Sequence, residues 1–404
     1  MSTSLLYHGF GIYDYKYVKT EYRKGSVFFH IEKDPNKRYC EDCGSKQVRK
    51  KGRFVRVIRT IPIGKKKVFF SVHLHRLHCG ACGSLKLEPL IISFPKKQWT
   101  KSLGCYVIDL LKRETVEDVA RHLGMSWDTI KEIHLRELKR KYKRRKLKQL
   151  RYLGVDEIAV RRGHRYLTVV VDLETGQVVW VGEGRKSTSL EGFMRVLKRR
   201  RVELKAIAMD MWPAYIKAVS KYYSEQLIVF DRYHLIQDCN RMLDELRRVE
   251  AAKVSLRERK EVYTGTRYLL LRGREKIDSF PEAKQHLDRL LALNESLNTA
   301  YILKEELRAL WDCQSREDAE EYFTDWFQKA WSSDIELVVK FANKVSRHRT
   351  GILNYFDNRI TTGKVEGINN KIKVLKRRAY GYRDKEYFKL RIYSLHESRY
   401  ALLG

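Results

Sequence analysis

The chain has 404 residues and a formal charge of +33, from 83 Lys and Arg against 50 Asp and Glu. That excess suits a polyanionic partner, nucleic acid ahead of an anionic membrane surface, and speaks against a neutral metabolite as principal ligand. The length exceeds what one small core organises, so several domains are expected.

The charge is uneven. Residues 1–151 hold 36 basic against 14 acidic side chains, so +22 of the +33 sits in little more than a third of the chain, which marks the N-terminal part as the expected DNA arm. The N-terminus lacks the basic, apolar, small-residue order of a secretory signal, and no stretch approaches the roughly 20 apolar residues of a membrane span. A soluble, cytoplasmic and nucleoid-associated protein is expected, with no membrane and no small-molecule substrate. Seven cysteines occur, four of them in two Cys-x-x-Cys pairs. That spacing favours metal binding in a reducing compartment over a disulfide framework.

Residues 1–100 read as a zinc-binding β module. Cys40-Glu-Asp-Cys43-Gly and Cys79-Gly-Ala-Cys82-Gly each form a turn that aims two thiolates at one ion, with Gly44 and Gly83 relieving the tight backbone. Phe54–Ile63 and Lys67–Leu77 are predicted strands joined at Ile63-Gly64-Lys65, a hairpin that returns the second pair to the first. His75 or His78 remains an alternative to one thiolate. His73-Leu74-His75 also admits a rival reading as the metal ligands of a tyrosine-nucleophile nickase, disfavoured because the strand belongs to the hairpin and no helix with paired tyrosines accompanies it.

Residues 101–150 read as a helix-turn-helix with a basic connector. Val116, Val119, Ala120 and Leu123 make one apolar helix face, Gly124 ends that helix, and Ser126 is positioned to cap a second helix whose apolar face holds Ile130 and Ile133. Trp127, Asp128, Thr129 and Lys131 are then the major-groove residues; an ordinary helical hairpin is the bland alternative. Residues 139–151 hold nine basic groups and no acid. Within them, Lys143, Arg144 and Arg145 are expected phosphate contacts.

From 151 to 235 short apolar strands alternate with helices. Tyr152–Val155 runs into Asp156, Tyr166–Val171 and Val178–Val181 form a hairpin across Glu174-Thr175-Gly176, and Leu190–Lys198 is helical. Leu204–Met209 then runs into Asp210, Pro213–Tyr222 is helical, and Leu227–Phe230 ends at Asp231. Three strands, helix, strand, helix, strand is the order of an RNase H-like fold, in which the first and fourth strands are neighbours and Asp156 can meet Asp210. Two close carboxylates repel unless cations lie between them, and a hard oxygen-seeking ion, Mg2+ or Mn2+, suits such ligands.

Residues 236–355 read as an all-α insertion, with helices such as Leu287–Leu297 and Tyr301–Trp311. Trp311, Trp326 and Trp331 are most simply its core, with stacking on a distorted DNA base as the sharper alternative. Residues 356–404 return to the catalytic fold. There Val365, Ile368, Ile372 and Leu375 form a core stripe, leaving Glu366, Asn369, Asn370 and Lys373 on the remaining face as a metal ligand with DNA contacts. Among competing acids, Glu157 is expected on the opposite strand face from Asp156, Asp172 is a turn residue and Glu386 lies on a later polar helix. Asp231 and His234 stand at a strand end where sites gather; His234 either reaches the scissile phosphate or caps the following helix.

Together, Tyr152-Leu-Gly-Val-Asp156-Glu, Ala208-Met-Asp210-Met-Trp, Phe230-Asp-Arg-Tyr-His234 and Thr362-Gly-Lys-Val-Glu366-Gly-Ile-Asn-Asn-Lys-Ile-Lys373 resemble the bacterial insertion-sequence transposases of the ISL-three family. The paired cysteines resemble that family's N-terminal zinc finger. The resemblance covers most of the chain. It implies a multidomain α+β and α/β protein with a DDE site of Asp156, Asp210 and Glu366. Such an enzyme binds the inverted ends of its own element as a homodimer on double-stranded DNA, cuts with magnesium and joins 3′ ends to target DNA. The rivals are a DNA-binding regulator with an inert RNase H-like domain, and another RNase H-like nuclease.

Overall fold

The computed structural model describes residues 5–143, 147–161 and 165–397. They fall into two compact units, one reaching to Lys143 and the other from there to His396.

In the first unit, strands β1 (Tyr15–Arg23), β2 (Ser26–Lys33), β3 (Val48–Ile63), β4 (Lys66–Cys79) and β5 (Leu85–Leu87) form one sheet in the order β1-β2-β4-β3, with β5 added to β4. The period-two run Val68, Phe70, Val72, Leu74 on β4 is wholly buried, and with Ile31 and Ile58 it makes the core of this sheet. β3 and β4 pair antiparallel from Ile63↔Lys66 to Val48↔Cys79, so the predicted hairpin does bring the two cysteine turns together. The hairpin β1–β2, turned at Lys24-Gly25, is an addition to the strands expected from the sequence.

A separate apolar cluster joins Trp99 to three helices: α1 (Lys101–Leu110), α2 (Val116–Leu123) and α3 (Trp127–Tyr142). Thr115 closes a capping box with Asp118, Gly124 ends α2 at φ 58°, and the Ser126 hydroxyl accepts from the Thr129 amide at 3.3 Å to start α3. Helix α3 takes in the first part of the expected basic connector. Lys143 follows it exposed, and Arg144 and Arg145 lie outside the described residues.

The second unit is built on β6 (Tyr152–Arg161), β7 (Arg165–Asp172), β8 (Val178–Glu183), β9 (Ala206–Met209) and β10 (Ile228–Phe230), in the order β10-β9-β6-β7-β8. β6, β7 and β8 pair antiparallel, whereas β9 joins β6 in parallel and β10 joins β9 in parallel. Helix α4 (Ser187–Arg199) connects β8 to β9, α5 (Pro213–Ser220) lies between β9 and β10, and α6 (Arg232–Lys253) leads out of β10. Asp172 is a turn residue as expected, accepting from the Glu174 amide at 3.1 Å.

The helices that follow are α7 (Pro281–Leu293), α8 (Glu295–Ala309), α9 (Arg316–Trp331), α10 (Glu336–Ser346) and α11 (Arg349–Asp357), with shorter turns before α7. The expected helix Leu287–Leu297 is in fact two. Asn294 interrupts it, because its side chain accepts from the Leu297 amide at 2.8 Å and caps α8. Trp326 is core, donating to the Leu303 carbonyl at 2.8 Å; Trp331 is half exposed and stacks on Phe327. One contiguous core runs from Leu147 through the sheet and these helices to Leu353. At its edge, Asn354 of α11 donates to the Ile228 carbonyl at 2.8 Å and so covers the β10 end of the sheet.

Two last helices, α12 (Gly363–Arg378) and α13 (Lys385–Tyr393), complete the unit. Val365 of α12 lies directly on Gly154 of β6, where any added Cβ would collide with Val365 Cγ2 and Leu173 Cδ2. This close approach sets the helix that carries Glu366 against the strand that carries Asp156.

Candidate functional site

Asp156 stands midway along β6, Asp210 directly follows β9, and the pairing of these neighbouring strands ends at Gly154↔Ala208. Beyond that point β6 continues without β9 beside it, which opens a recess at the strand end. Ligand oxygens of Asp156, Glu157 and Asp210 lie within 4.8 Å of one another there. Glu157 therefore does not turn away from Asp156 as strand alternation predicts. Past the end of β9 the β9-side edge of β6 is open, while β7 still pairs with the other edge, and the longer glutamate side chain reaches the same recess around that open edge.

Each group in the recess is held. The Asp156 carboxylate accepts from the Glu157 amide at 2.7 Å and from Asn369 Nδ2 of α12 at 2.7 Å. His234, in the first turn of α6, places Nε2 2.8 Å from Asp210 Oδ1. His234 does not cap α6: that is done by Asp231, which accepts from the Tyr233 amide at 2.8 Å. Burial, then the Asp210 charge, pushes the Asp156 carboxyl up to about 7, and the same two causes raise Glu157. Burial opposes charge on His234, yet its hydrogen bond to Asp210 and the surrounding acids prevail and raise its pKa. Close, half-buried carboxyls whose ionisation is resisted make a donor set suited to a hard divalent cation.

Glu366 lies in the first turn of α12, exposed, one turn before Asn369, and is not among the three clustered acids. Asn369 is 5% exposed and points at Asp156, so it leaves the solvent face predicted for it; the tight Gly154–Val365 packing turns that side of α12 inward. Asn370 and Lys373 remain exposed.

The second metal-binding constellation is the cysteine set. Cys40 Sγ lies 3.7 Å from Cys82 Sγ, and Cys43 Sγ 3.6 Å from Cys79 Sγ. Both turns share one hydrogen-bond pattern: the Gly44 amide reaches the Cys40 carbonyl at 2.9 Å and the Gly83 amide the Cys79 carbonyl at 3.0 Å, with the glycines at φ 73° and 70°. Amides of Cys82 and Ala81 draw Cys79 down to about 6, while the neighbouring thiols Cys43 and Cys79 push Cys82 up to about 12 despite the Ser84 amide. Four sulfurs at these spacings can hold a metal ion. Neither His75 nor His78 enters the set; His75 instead faces Glu88, and His73 lies 3.1 Å from His30.

On α3, Trp127 is 43% exposed with Lys131 Nζ 5.2 Å from its ring centroid. Asp128 is exposed and Thr129 half-buried against the Ser126 cap. Among the described residues, no helix is long and apolar enough to cross a membrane.

Residues 153–392 match the model of the ISL-three type of DDE family described as "Transposase". The chain is 35% identical over 356 residues to the transposase for insertion sequence element IS1001 of Bordetella parapertussis, spanning 87% of each chain. It is 26% identical over 381 residues to the transposase for IS1557 of Mycobacterium tuberculosis, spanning 86% of this chain and 83% of the relative. Among solved structures, the Drosophila P element transposase strand transfer complex aligns with TM-score 0.38 and 11% identity over 74% of this chain and 91% of that one.

Proposed function

Because the chain belongs to the ISL-three transposase family and is a DNA transposase, we propose that it binds the terminal inverted repeats of its own element and performs metal-dependent cleavage and strand transfer at Asp156, Asp210 and Glu366. The observation that carries this reading is the meeting of Asp156, on β6 just past its parallel pairing with β9, and Asp210, at the end of β9, with the Glu366 helix bonded to Asp156 through Asn369. The strand order β10-β9-β6-β7-β8 supports an RNase H-like catalytic fold.

Asp156, Asp210 and Glu366, joined by Glu157, would hold two magnesium or manganese ions. Bound there, such ions supply charge for an in-line displacement at phosphorus. The protein's own groups do the positioning. Asn369 and the Glu157 amide fix the Asp156 carboxylate, and His234 fixes Asp210 beside the recess, where the neighbouring acids favour its protonated form over burial and so suit it to face a phosphate oxygen. The cysteine set would hold structural zinc, since sulfurs 2.3 Å from a tetrahedral centre lie about 3.8 Å apart, close to the distances found. Residues 1–100 then form the zinc module and 101–150 the DNA-reading helices, with Trp127, Asp128, Thr129 and Lys131 toward the major groove and Lys143, Arg144 and Arg145 on phosphates. Joining two ends together calls for a homodimer.

The test is cleavage and joining of duplexes bearing the inverted repeats that flank the gene, with magnesium or manganese. Wild type is expected to nick at the repeat and join the 3′ end to a target. Asp156→Ala, Asp210→Ala and Glu366→Ala are each expected to lose at least about 1000-fold while still binding the ends. Binding without any product from wild type would leave a DNA-binding regulator; indiscriminate cutting of RNA or junctions would leave a different nuclease.

A further inference from the structure

Helix α12 carries a line of side chains that extends well past its acid. Glu366, Asn370, Lys373, Arg377 and Tyr380 are spaced by four, three, four and three residues, which puts them within a sector of about 80° on one helix face. All five are exposed. Lys373 and Arg377 have no acidic partner among the described residues. The line begins beside the carboxylate recess, follows two cations, and ends on an aromatic ring.

Tyr380 is held in an unusual way. Its side chain is fully exposed, at 102% of the reference area. Its backbone sits at φ 49°, the left-handed region in which a Cβ is disfavoured and where a helix normally ends on glycine or asparagine. The Tyr380 amide donates to the Arg377 carbonyl at 3.0 Å and the Gly381 amide to the Lys376 carbonyl at 3.0 Å, so the turn closes the helix with the tyrosine at its strained corner. The next aromatic anchors the loop from behind: Tyr382 stacks on Phe388 at 4.6 Å and 22°. A fixed loop thus presents a large ring that packs on nothing, in a conformation glycine would adopt without strain. Nothing in the folding of the chain asks for an aromatic residue there.

We propose that Tyr380 is a base-stacking residue: it packs on a nucleobase of the DNA end whose backbone follows Lys373 and Arg377 away from the active site. The helix rises about 21 Å from residue 366 to 380, and successive bases on one strand are about 3.4 Å apart. The stacked base is then about six nucleotides from the phosphate held at the acids. An aromatic face suits any unstacked base and needs no hydrogen-bond code, while the cations supply the phosphate contacts beside it.

The assignment rests on the reading of Asp156, Asp210 and Glu366 as the catalytic acids, and the experiment keeps the two apart. Full-length protein carrying Asp156→Ala binds element-end duplexes with 2-aminopurine placed singly at each of the first ten positions from the cleavage site; fluorescence and affinity are measured with no chemistry required. A fluorescence change confined to one or two positions about six nucleotides in is expected, kept in Tyr380→Phe and lost in Tyr380→Ala and Tyr380→Gly, with end binding about tenfold weaker. The thermal midpoint of Tyr380→Gly should equal or exceed that of the parent. Retention of the signal in Tyr380→Ala, or a lowered midpoint in Tyr380→Gly, would show that the ring serves the fold and overturn the proposal. Cleavage by the Asp156→Ala protein would instead refute the catalytic reading and leave the stacking result standing.

Discussion

The cysteine set and the carboxylate set are both clusters of ionisable ligands, yet they are assembled by opposite means. The thiols come in two local turns with matching hydrogen bonds, brought together by one hairpin, and backbone amides stabilise the charge of Cys79. The carboxylates come from a mid-strand position and a strand end, joined by parallel pairing, and burial resists the charge of Asp156. One cluster closes a structural unit; the other is a recess in which the fold tolerates groups that repel. The contrast predicts that losing a thiol costs stability, whereas altering the acid recess costs activity first.

The largest effect expected is at the thiols. If the cysteine set holds zinc as proposed, Cys79→Ser should abolish metal binding there and destabilise the N-terminal unit by on the order of 5 kcal/mol or more, since metal binding would be folding free energy. The unfolding transition of the second unit should stay in place. Metal analysis with calorimetry checks this, and an unmoved first transition would dissolve the contrast.

Next is Gly154→Ala. A methyl group at this position meets Val365 Cγ2 and Leu173 Cδ2 inside van der Waals distance, so α12 must shift off β6 or the core must open, at a cost of about 3 kcal/mol. DNA cleavage should fall with it, because the same contact sets Asn369 on Asp156. A variant that loses stability while keeping full cleavage would show that α12 is not positioned by this contact.

These two cases explain what the chain discloses in its sequence. Paired thiols at short spacing, the Gly124 break and the Ser126 cap are local devices, and each appears where its residues predicted. The convergence of Asp156 and Asp210 was legible one step further out, from strand order. Glu157 and Asn369 were misjudged because their directions depend on where β9 stops and how closely α12 lies on Gly154, and neither distance is written in strand alternation or helix periodicity. The strands β1 and β2 are a local hairpin turned at Lys24-Gly25 that the sequence reading does not include, whereas the parallel pairing of β2 with β4 joins strands that are not neighbours in sequence.

A third prediction sharpens the carboxylate side. Asn369→Leu keeps the volume and removes the donor to Asp156 Oδ2. Cleavage should fall about 10- to 100-fold, the range for losing a group that orients a metal ligand, with little change in thermal midpoint. A midpoint drop that accounts for the lost activity would make Asn369 a packing residue instead.

The smallest effect separates the recess from its rim. Asp231 caps α6 through the Tyr233 amide, and it stands outside the three clustered acids. Burial is the largest influence on its carboxyl and raises its pKa, against the Tyr233 amide and His234. A carboxyl that holds its proton more tightly in the folded chain than in the unfolded chain loses stabilising effect as pH rises from about 4, the unfolded value. Asparagine caps a helix as well as aspartate and does not titrate. Asp231→Asn should therefore match wild type in stability at pH 4 and exceed it by a fraction of a kcal/mol at pH 7, with cleavage retained. Thermal midpoints at the two pH values and one cleavage assay decide it: loss of cleavage in a folded Asp231→Asn protein would move this residue from the helix cap into the carboxylate site.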